Sequence, residues 1–357
     1  MRGEMKRLVN VRCRIALLGF GTVGSAVARR LTSGPSPFQL THILDRRAAC
    51  KRDSLTAADV IWTTRIEDVL ESDADVVVEL VGGVEPAADW IRAALLAGKS
   101  VVTANKQVMA RHGAALLTLA ARQGRQLRFE AAVGGAMPII RTIGDGLAGD
   151  RISRIDAILN GTTNAVLSRM EATHCSIDDA IADARWRGLA EADPSADLDG
   201  DDAAAKLAIL CALAFGLRVE PAQIDVQSTA NITALDLARA RAAGGTIRQI
   251  AHADYDYATS TLTAWVAPVT VPLDSIFAGT TGPRNAALVT AEHSGETVIA
   301  GTGAGGNATA VAIISDINAI ARDRSAIVPA PILSTDFEVV PSHFEPAWSS
   351  LSLAEAV

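Results

Sequence analysis

RIALLGFGTVGSAVARRL (residues 14–31) decides how the first part of the chain folds. It opens on an apolar, strand-forming run, after which Val23, Val27 and Leu31 recur at helical spacing, so a strand passes directly into a helix. The passage is made by Gly19-Phe20-Gly21-Thr22-Val23-Gly24. Gly19 permits a tight turn, Gly21 leaves room for a close neighbour, and Gly24 lets the helix lie against the strand. Working outward, the same alternation returns. LTHILD (40–45), ADVVVELVG (74–82), KSVVTANK (99–106) and RQLRFEAAVGG (125–135) read as strands. PAADWIRAALLAG (86–98) reads as a helix with Pro86 at its start and Gly98 at its end. The largely apolar 74–82 run suits a parallel sheet covered on both faces. Residues 1–145 are therefore expected to form a doubly wound, Rossmann-like α/β domain with a parallel sheet.

The glycine turn has chemical meaning too. At the start of a helix the amides, here of Thr22 and Val23, are unpaired and the dipole is positive, which suits a pyrophosphate lying over Gly19, Gly21 and Gly24. An acid about 20 residues further on is the usual partner of an adenosine ribose. Asp45 ends the second strand 21 positions after Gly24. It would accept from the 2′-hydroxyl of NAD, whereas the neighbouring Arg46 and Arg47 would suit the 2′-phosphate of NADP. A nicotinamide dinucleotide is expected, and the choice between NAD and NADP stays open. A structural turn alone would explain the glycines but not the acid at this spacing.

After about residue 146 the pattern changes. RISRIDAILNGTTN (151–164) is a strand running into a helix, and two further helices are expected at about 176–187 and 200–216. TIRQIAHADY (246–255), TLTAWVAPVTV (261–271), AALVTAEH (286–293) and ETVIAGT (296–302) alternate like antiparallel strands. Residues 146–304 thus read as an α+β domain. Beyond the glycine-rich GTGAGGNATA (301–310), a helix at about 305–323 is expected to return to the first domain. Residues 324–357, with Pro331, Pro341 and Pro346, are expected to run as an extended tail.

Composition narrows the function. The 357 residues exceed one compact core, and 49% hydrophobic with 20% charged residues is a folded composition. A net charge of -7 with no Lys/Arg run argues against nucleic acid as a partner. The apolar run at 207–215 is far shorter than the ~20 residues of a membrane span. MRGEMKRLVNVRCR (1–14) lacks the apolar core of a secretory leader. Cys13, Cys50, Cys175 and Cys211 are scattered, as in reduced cytoplasmic thiols, and no H-x-x-H or H-E-x-x-H pair supports a transition-metal site.

GLAEADPSADLDGDDAAAKLAIL (188–210) places six carboxylates within twelve residues, then one lysine. An EF-hand is excluded: with Gly200 at position 6 of the loop, position 12 falls on Lys206, a cation where a bidentate acid is required. Asp199 or Asp201 would serve as a helix cap or first-turn acid. Asp202 and Lys206, four apart, share a helix face, and in isolation would read as a surface ion pair. In a nicotinamide-binding chain, however, a lysine among carboxylates suits proton transfer at a carbonyl oxygen.

These residues together resemble the homoserine dehydrogenase family. Its signature is met by Ala184, Gly188, Asp193-Pro194, Asp197-Leu198, Gly200, Asp202 and Lys206, in order and spacing. GFGTVG, VVTANKQVMARHG (101–113), FEAAVGGAMPII (129–140), ILNGTTN (158–164) and GTGAGGNATA agree, so the similarity spans about residues 13–323. The resemblance implies interconversion of L-homoserine and L-aspartate 4-semialdehyde with NAD(P), on the route to threonine and methionine. It implies Lys206 as proton donor and acceptor, with Lys106 and Asp202 as further catalytic residues. Glu191, Asp197, Gly161 and Thr162 would line the substrate, Glu191 meeting its ammonium group. Ala104, Lys106 and Gly303 would lie near the cofactor. A sodium ion would rest on Glu130, Val133, Gly135 and Met137, mostly through backbone carbonyls. A homodimer is also implied, built through the 146–304 domain.

Leu189 and Ala165 depart from the family, which usually carries aromatic residues there. Only 34 residues follow Asp323, too few for a regulatory domain, so feedback by threonine through such a domain is not expected. Two alternatives stay open: a dehydrogenase of another small amino acid or semialdehyde, and a dinucleotide sensor without turnover. A sensor has no use for Lys106, Glu191, Asp202 and Lys206 together.

Overall fold

The computed structural model describes residues 12–34, 36–55, 59–341 and 344. The leader reading at 1–11 and most of the tail beyond 341 therefore lie outside the described residues.

Cys13–Leu18 (β1), Phe38–Leu44 (β2), Ile61–Thr63 (β3), Val76–Glu79 (β4), Ser100–Thr103 (β5) and Leu127–Arg128 (β6) form a parallel sheet ordered β3-β2-β1-β4-β5-β6. The strand order reverses between β1 and β4, which opens a crevice beyond their carboxyl ends. Helices Thr22–Thr32 (α1), Ala87–Leu96 (α2) and Lys106–Arg122 (α3) connect the strands. Gly98 takes φ 75° just after α2, the left-handed turn expected of it. Asn105 caps α3 by accepting from the Val108 amide.

One strand of this sheet and one helix beside it escape the sequence pattern, and the strands expected over 74–82, 99–106 and 125–135 run past β4, β5 and β6. β3 is three residues long, too short to show a period, and α3 hides behind a strand reading that ran to Lys106. The strand expected over 125–135 stops at Arg128. There the Glu130 amide donates to Asp316 instead of to a neighbouring strand, and residues 130–132 curl into a single 3-10 turn.

The second sheet contains Ile152–Ile158 (β7), Asp225–Val226 (β8), Gly245–Asp256 (β9), Thr261–Pro272 (β10), Arg284–Ala291 (β11), Gly295–Thr302 (β12) and Glu338–Val339 (β13). Its order is β12-β11-β7-β9-β10-β13, and β8 pairs with β10. The long strands pair antiparallel, and β8 and β13 add short parallel ladders. Helices Gly161–Thr173 (α4), Ile177–Trp186 (α5), Asp201–Ala214 (α6) and Ala234–Ala242 (α7) accompany it.

Asp201 is the first-turn acid expected of it, but neither Asp199 nor Asp201 caps α6. Gly200 does, at φ 92°, where a Cβ would meet Val226 at 2.7 Å. The final helix, Gly306–Arg322 (α8), lies on α1 so closely that a Cβ on Gly306 would meet Thr22 at 2.9 Å. Ile313 and Ile317 of α8 join Ile15, Val27 and Val78 in one core cluster. A second cluster runs from Val101 and Leu116 to Leu207 and Ala251, so apolar packing is continuous from one sheet to the other.

Candidate active site

The glycine turn has the dimensions its sequence requires. Gly19 adopts φ 99°, and a Cβ there would meet the Leu80 carbonyl at 2.8 Å. A Cβ on Gly24 would lie 2.2 Å from the Gly19 oxygen, which is how closely α1 presses on the turn. Around a Cβ at Gly21, by contrast, there is nothing within 4 Å. That open side faces a cleft of about 350 Å³ lined by Asp45, Arg46, Arg47 and Lys51. A dinucleotide fits the combination of free helix amides, open glycine backbone and ribose-end polar groups.

Asp45 is braced from three sides. Its carboxylate accepts from the Phe20 amide at 2.9 Å, the Arg47 amide at 2.8 Å and Lys51 Nζ at 2.7 Å. Burial raises its pKa, but those donors outweigh burial and hold it below the usual carboxylate value. Lys51 also donates to the Phe20 carbonyl at 2.8 Å, tying the glycine turn to the end of β2. Lys51 belongs to no sequence motif; its one signal is its position at the end of the short helix that follows Asp45.

A second cleft of about 370 Å³ shares Leu80 and Gly82 with the first, so the two form one trough. Val23, Ala104, Gly303, Glu191, Lys106 and Lys206 line this end. The trough floor is held by Glu79, fully buried at the end of β4. Glu79 accepts from the amides of Val81 and Gly82 and from the Thr103 hydroxyl, and the sequence offers no sign of this role.

At the centre sits Asp202, 6% exposed in the first turn of α6. Its Oδ1 meets Lys106 Nζ at 2.6 Å and its Oδ2 meets Lys206 Nζ at 2.7 Å. Burial alone would raise its pKa, yet the two ammonium groups hold it far below the ordinary value. Burial lowers Lys106, and the Asp202 carboxylate more than reverses that, so its pKa ends raised. Lys206 also donates to the Leu159 carbonyl at 2.8 Å. Asp197 is pushed up by burial and by Asp202. The arrangement can keep two cations beside one fixed anion in a half-closed trough, a field suited to an oxygen that gains negative charge.

The other expected residues fall as follows. Thr162 donates its hydroxyl to the Leu189 carbonyl at 2.8 Å, and so holds the 188–192 segment. At Gly161 a Cβ would crowd Ala304 and the Pro283 carbonyl at 3.0 Å. At Gly303 it would collide with Asn285 at 2.1 Å. Both glycines are thus required by packing where α4 meets the 301–306 turn. Glu191 is exposed on the cleft rim.

Glu130, Val133, Gly135 and Met137 lie in one tight loop, and Gly135, at φ 62°, abuts the Gly303 carbonyl. The Glu130 carboxylate is already engaged by the amides of Ile140 and Arg141. A cation would therefore have to rest on main-chain carbonyls, of which that of Met137 already accepts from Ile139. Among the described residues no group of three His, Cys, Asp or Glu side chains could hold a metal ion. No described helix is long and apolar enough to cross a membrane. Cys13 and Cys211 are buried, and burial pushes the Cys211 thiol up to about 12, which makes it a poor nucleophile.

Comparison with known proteins agrees with this architecture. A family model described as homoserine dehydrogenase, NAD binding domain, matches residues 19–130, and one described as homoserine dehydrogenase matches residues 138–318. A homoserine dehydrogenase of Corynebacterium glutamicum is 38% identical over 321 residues, covering 87% of this chain and 72% of the relative. The crystal structure of a homoserine dehydrogenase from Thiobacillus denitrificans superposes with a TM-score of 0.83 at 31% identity, over 92% of this chain and 79% of that one. A hyperthermophilic archaeal homoserine dehydrogenase in complex with NADPH superposes with a TM-score of 0.70 at 27% identity, over 89% and 99%. The chain belongs to the homoserine dehydrogenase family, NAD(P)-dependent oxidoreductases that act on a CH–OH group.

Proposed function

We propose that Lys206 carries the proton in the interconversion of L-homoserine and L-aspartate 4-semialdehyde. When bound, the nicotinamide supplies or accepts the hydride at the reacting carbon. Toward the alcohol, an N–H of Lys206 gives its proton to the aldehyde oxygen; toward the aldehyde, the hydroxyl proton returns to the amine. One observation carries this reading. An ammonium group has three donors, and two of those on Lys206 point at Leu159 and Asp202, leaving one in a side chain that lines the trough. Lys106 adds a second positive charge at the same oxygen, and Asp202 keeps both cations in place. Glu191 on the rim suits the substrate ammonium, and Gly161 and Thr162 shape the substrate end through the backbone they hold. The test is absorbance of the reduced nicotinamide with L-homoserine and either cofactor: reduction that depends on homoserine is expected, and its absence despite cofactor binding would refute the assignment.

At the ribose end the same reading favours NADP. Lys51 neutralises Asp45, and Arg46 and Arg47 add two exposed cations, so the lining is net positive where a 2′-phosphate would lie. The archaeal relative bound to NADPH supports that choice. A monovalent cation on the backbone of Glu130, Val133, Gly135 and Met137 is proposed from family resemblance, tested by activity in sodium against a bulky organic cation. A homodimer is proposed on the same basis, tested by sedimentation, as is the division at 145/146 and 304/305, tested by limited proteolysis.

A further inference from the structure

Asn160 is the last residue before α4, 3% exposed, and its side chain has every polar atom engaged. The carbonyl oxygen Oδ1 accepts from the Thr163 amide at 2.8 Å and caps α4. The amide nitrogen Nδ2 donates to Asp197 Oδ1 at 2.7 Å and to Asp202 Oδ2 at 2.8 Å. An amide nitrogen has two hydrogens, so each carboxylate receives one. The orientation is unambiguous, because the flipped amide would set an oxygen against two carboxylates and an N–H against an amide N–H.

The segment leading into this residue completes the pattern. The carbonyl of Leu159 accepts from Lys206 Nζ, while the next side chain grips the carboxylate on which the same lysine rests. Asp202 Oδ2 is therefore shared by Lys206 and Asn160, and Asp202 Oδ1 by Lys106. Without the amide, the buried Asp202 and the half-buried Asp197 would face one another across the space it occupies. Like charges so placed drive one of the pair to bind a proton. Two lysines hold Asp202 low and Asp197 is already raised, so the proton would fall on Asp197, whose O–H would then compete with Lys206 for Asp202.

We propose that Asn160 is a positioning residue of the reaction: by donating one N–H to each of Asp197 and Asp202 it keeps both carboxylates ionised and aims Asp202 at Lys206. The inference rests on the reading of Lys206 as the proton carrier. It assigns Asn160 no contact with substrate.

The test separates this role from the capping role. Asn160→Ser retains an N-cap oxygen for Thr163 but loses the two donors, so the fold should survive. Its melting temperature and its NADPH affinity should stay close to those of the parent. Its kcat/KM for homoserine should fall roughly 10- to 100-fold, the effect of losing hydrogen bonds to charged groups. The acid limb of its pH–rate profile should move to higher pH, because the carboxylates then take up a proton more readily; a merely structural role would lower activity at every pH alike. Lys206→Ala is measured alongside. A folded Asn160→Ser with parental kcat/KM and acid limb, beside an inactive Lys206→Ala, would overturn the role of Asn160 alone. Retained turnover in Lys206→Ala would overturn the underlying reading and this inference with it. Should Asn160→Ser unfold, Asp197→Asn removes the same charge crowding, and an unmoved acid limb in that variant would overturn the inference.

Discussion

Lys206 and Lys51 are both lysines paired with a single aspartate, yet they do different things, and the difference lies in what else each ammonium touches. Lys206 touches Leu159 and Asp202 and keeps a donor toward the trough. Lys206→Ala should lower kcat by roughly 10²- to 10⁴-fold, the range of a lost general acid or base, with NADPH affinity within about twofold of the parent. Fluorescence titration and steady-state rates check this; equal loss of binding and turnover would mark a structural lysine. Lys51 instead bridges Asp45 and Phe20. Its replacement by alanine would leave Asp45 uncompensated where a phosphate is proposed, so the NADP/NAD ratio of kcat/KM should fall about tenfold or more. An unchanged ratio would remove Lys51 from the ribose end.

At the scale of the element, the turn between β1 and α1 makes a prediction in two halves. At Gly24 an added Cβ would sit 2.2 Å from the Gly19 carbonyl, a contact no rotamer relieves. Gly24→Ala should force α1 off β1, lowering the melting temperature by several degrees and abolishing cofactor binding. At Gly21 a Cβ meets nothing within 4 Å, so Gly21→Ala should melt like the parent. It should nevertheless bind NADPH at least about tenfold more weakly, because its methyl group occupies the space the phosphates need. Equal melting of the two variants would contradict the packing described. The helix start at Asn160 is a further element-level device, where one side chain both caps α4 and spans to α6.

Across the whole molecule, the lysines that share Asp202 come from different places. Lys106 begins α3 beside the first sheet, and Lys206 lies on α6 beside the second, so Asp202 joins the two halves. Asp202→Asn would leave two cations without their buried counter-charge, a loss of roughly 3–5 kcal/mol near neutral pH. The folded-state pKa of Asp202 lies below its ordinary 3.8, so its contribution is present above 3.8 and is lost as pH falls through the lower folded value. Urea denaturation at pH 7, 5 and 3 should show the gap between parent and Asp202→Asn steady at the first two and already narrower at the third. A gap that widened toward acid would contradict the sign.

Residue order alone carries the features that lie between neighbours along the chain. The glycine spacing of residues 19–24, the acid at 45 and the Asp202–Lys206 pair, one helical turn apart, depend on local backbone geometry, and local geometry follows from residue type and period. Helices α5 and α6 and the long antiparallel strands β9 and β10 were legible for the same reason. Tertiary structure alone decided that Lys106 reaches Asp202 and that Asn160 reaches both Asp197 and Asp202. It also decided that the strand at 127 stops short where Asp316, far along the chain, captures the Glu130 amide. Each of these is a contact between distant segments brought together by burial of apolar surface, and no spacing rule in one sequence records which distant partner that burial selects.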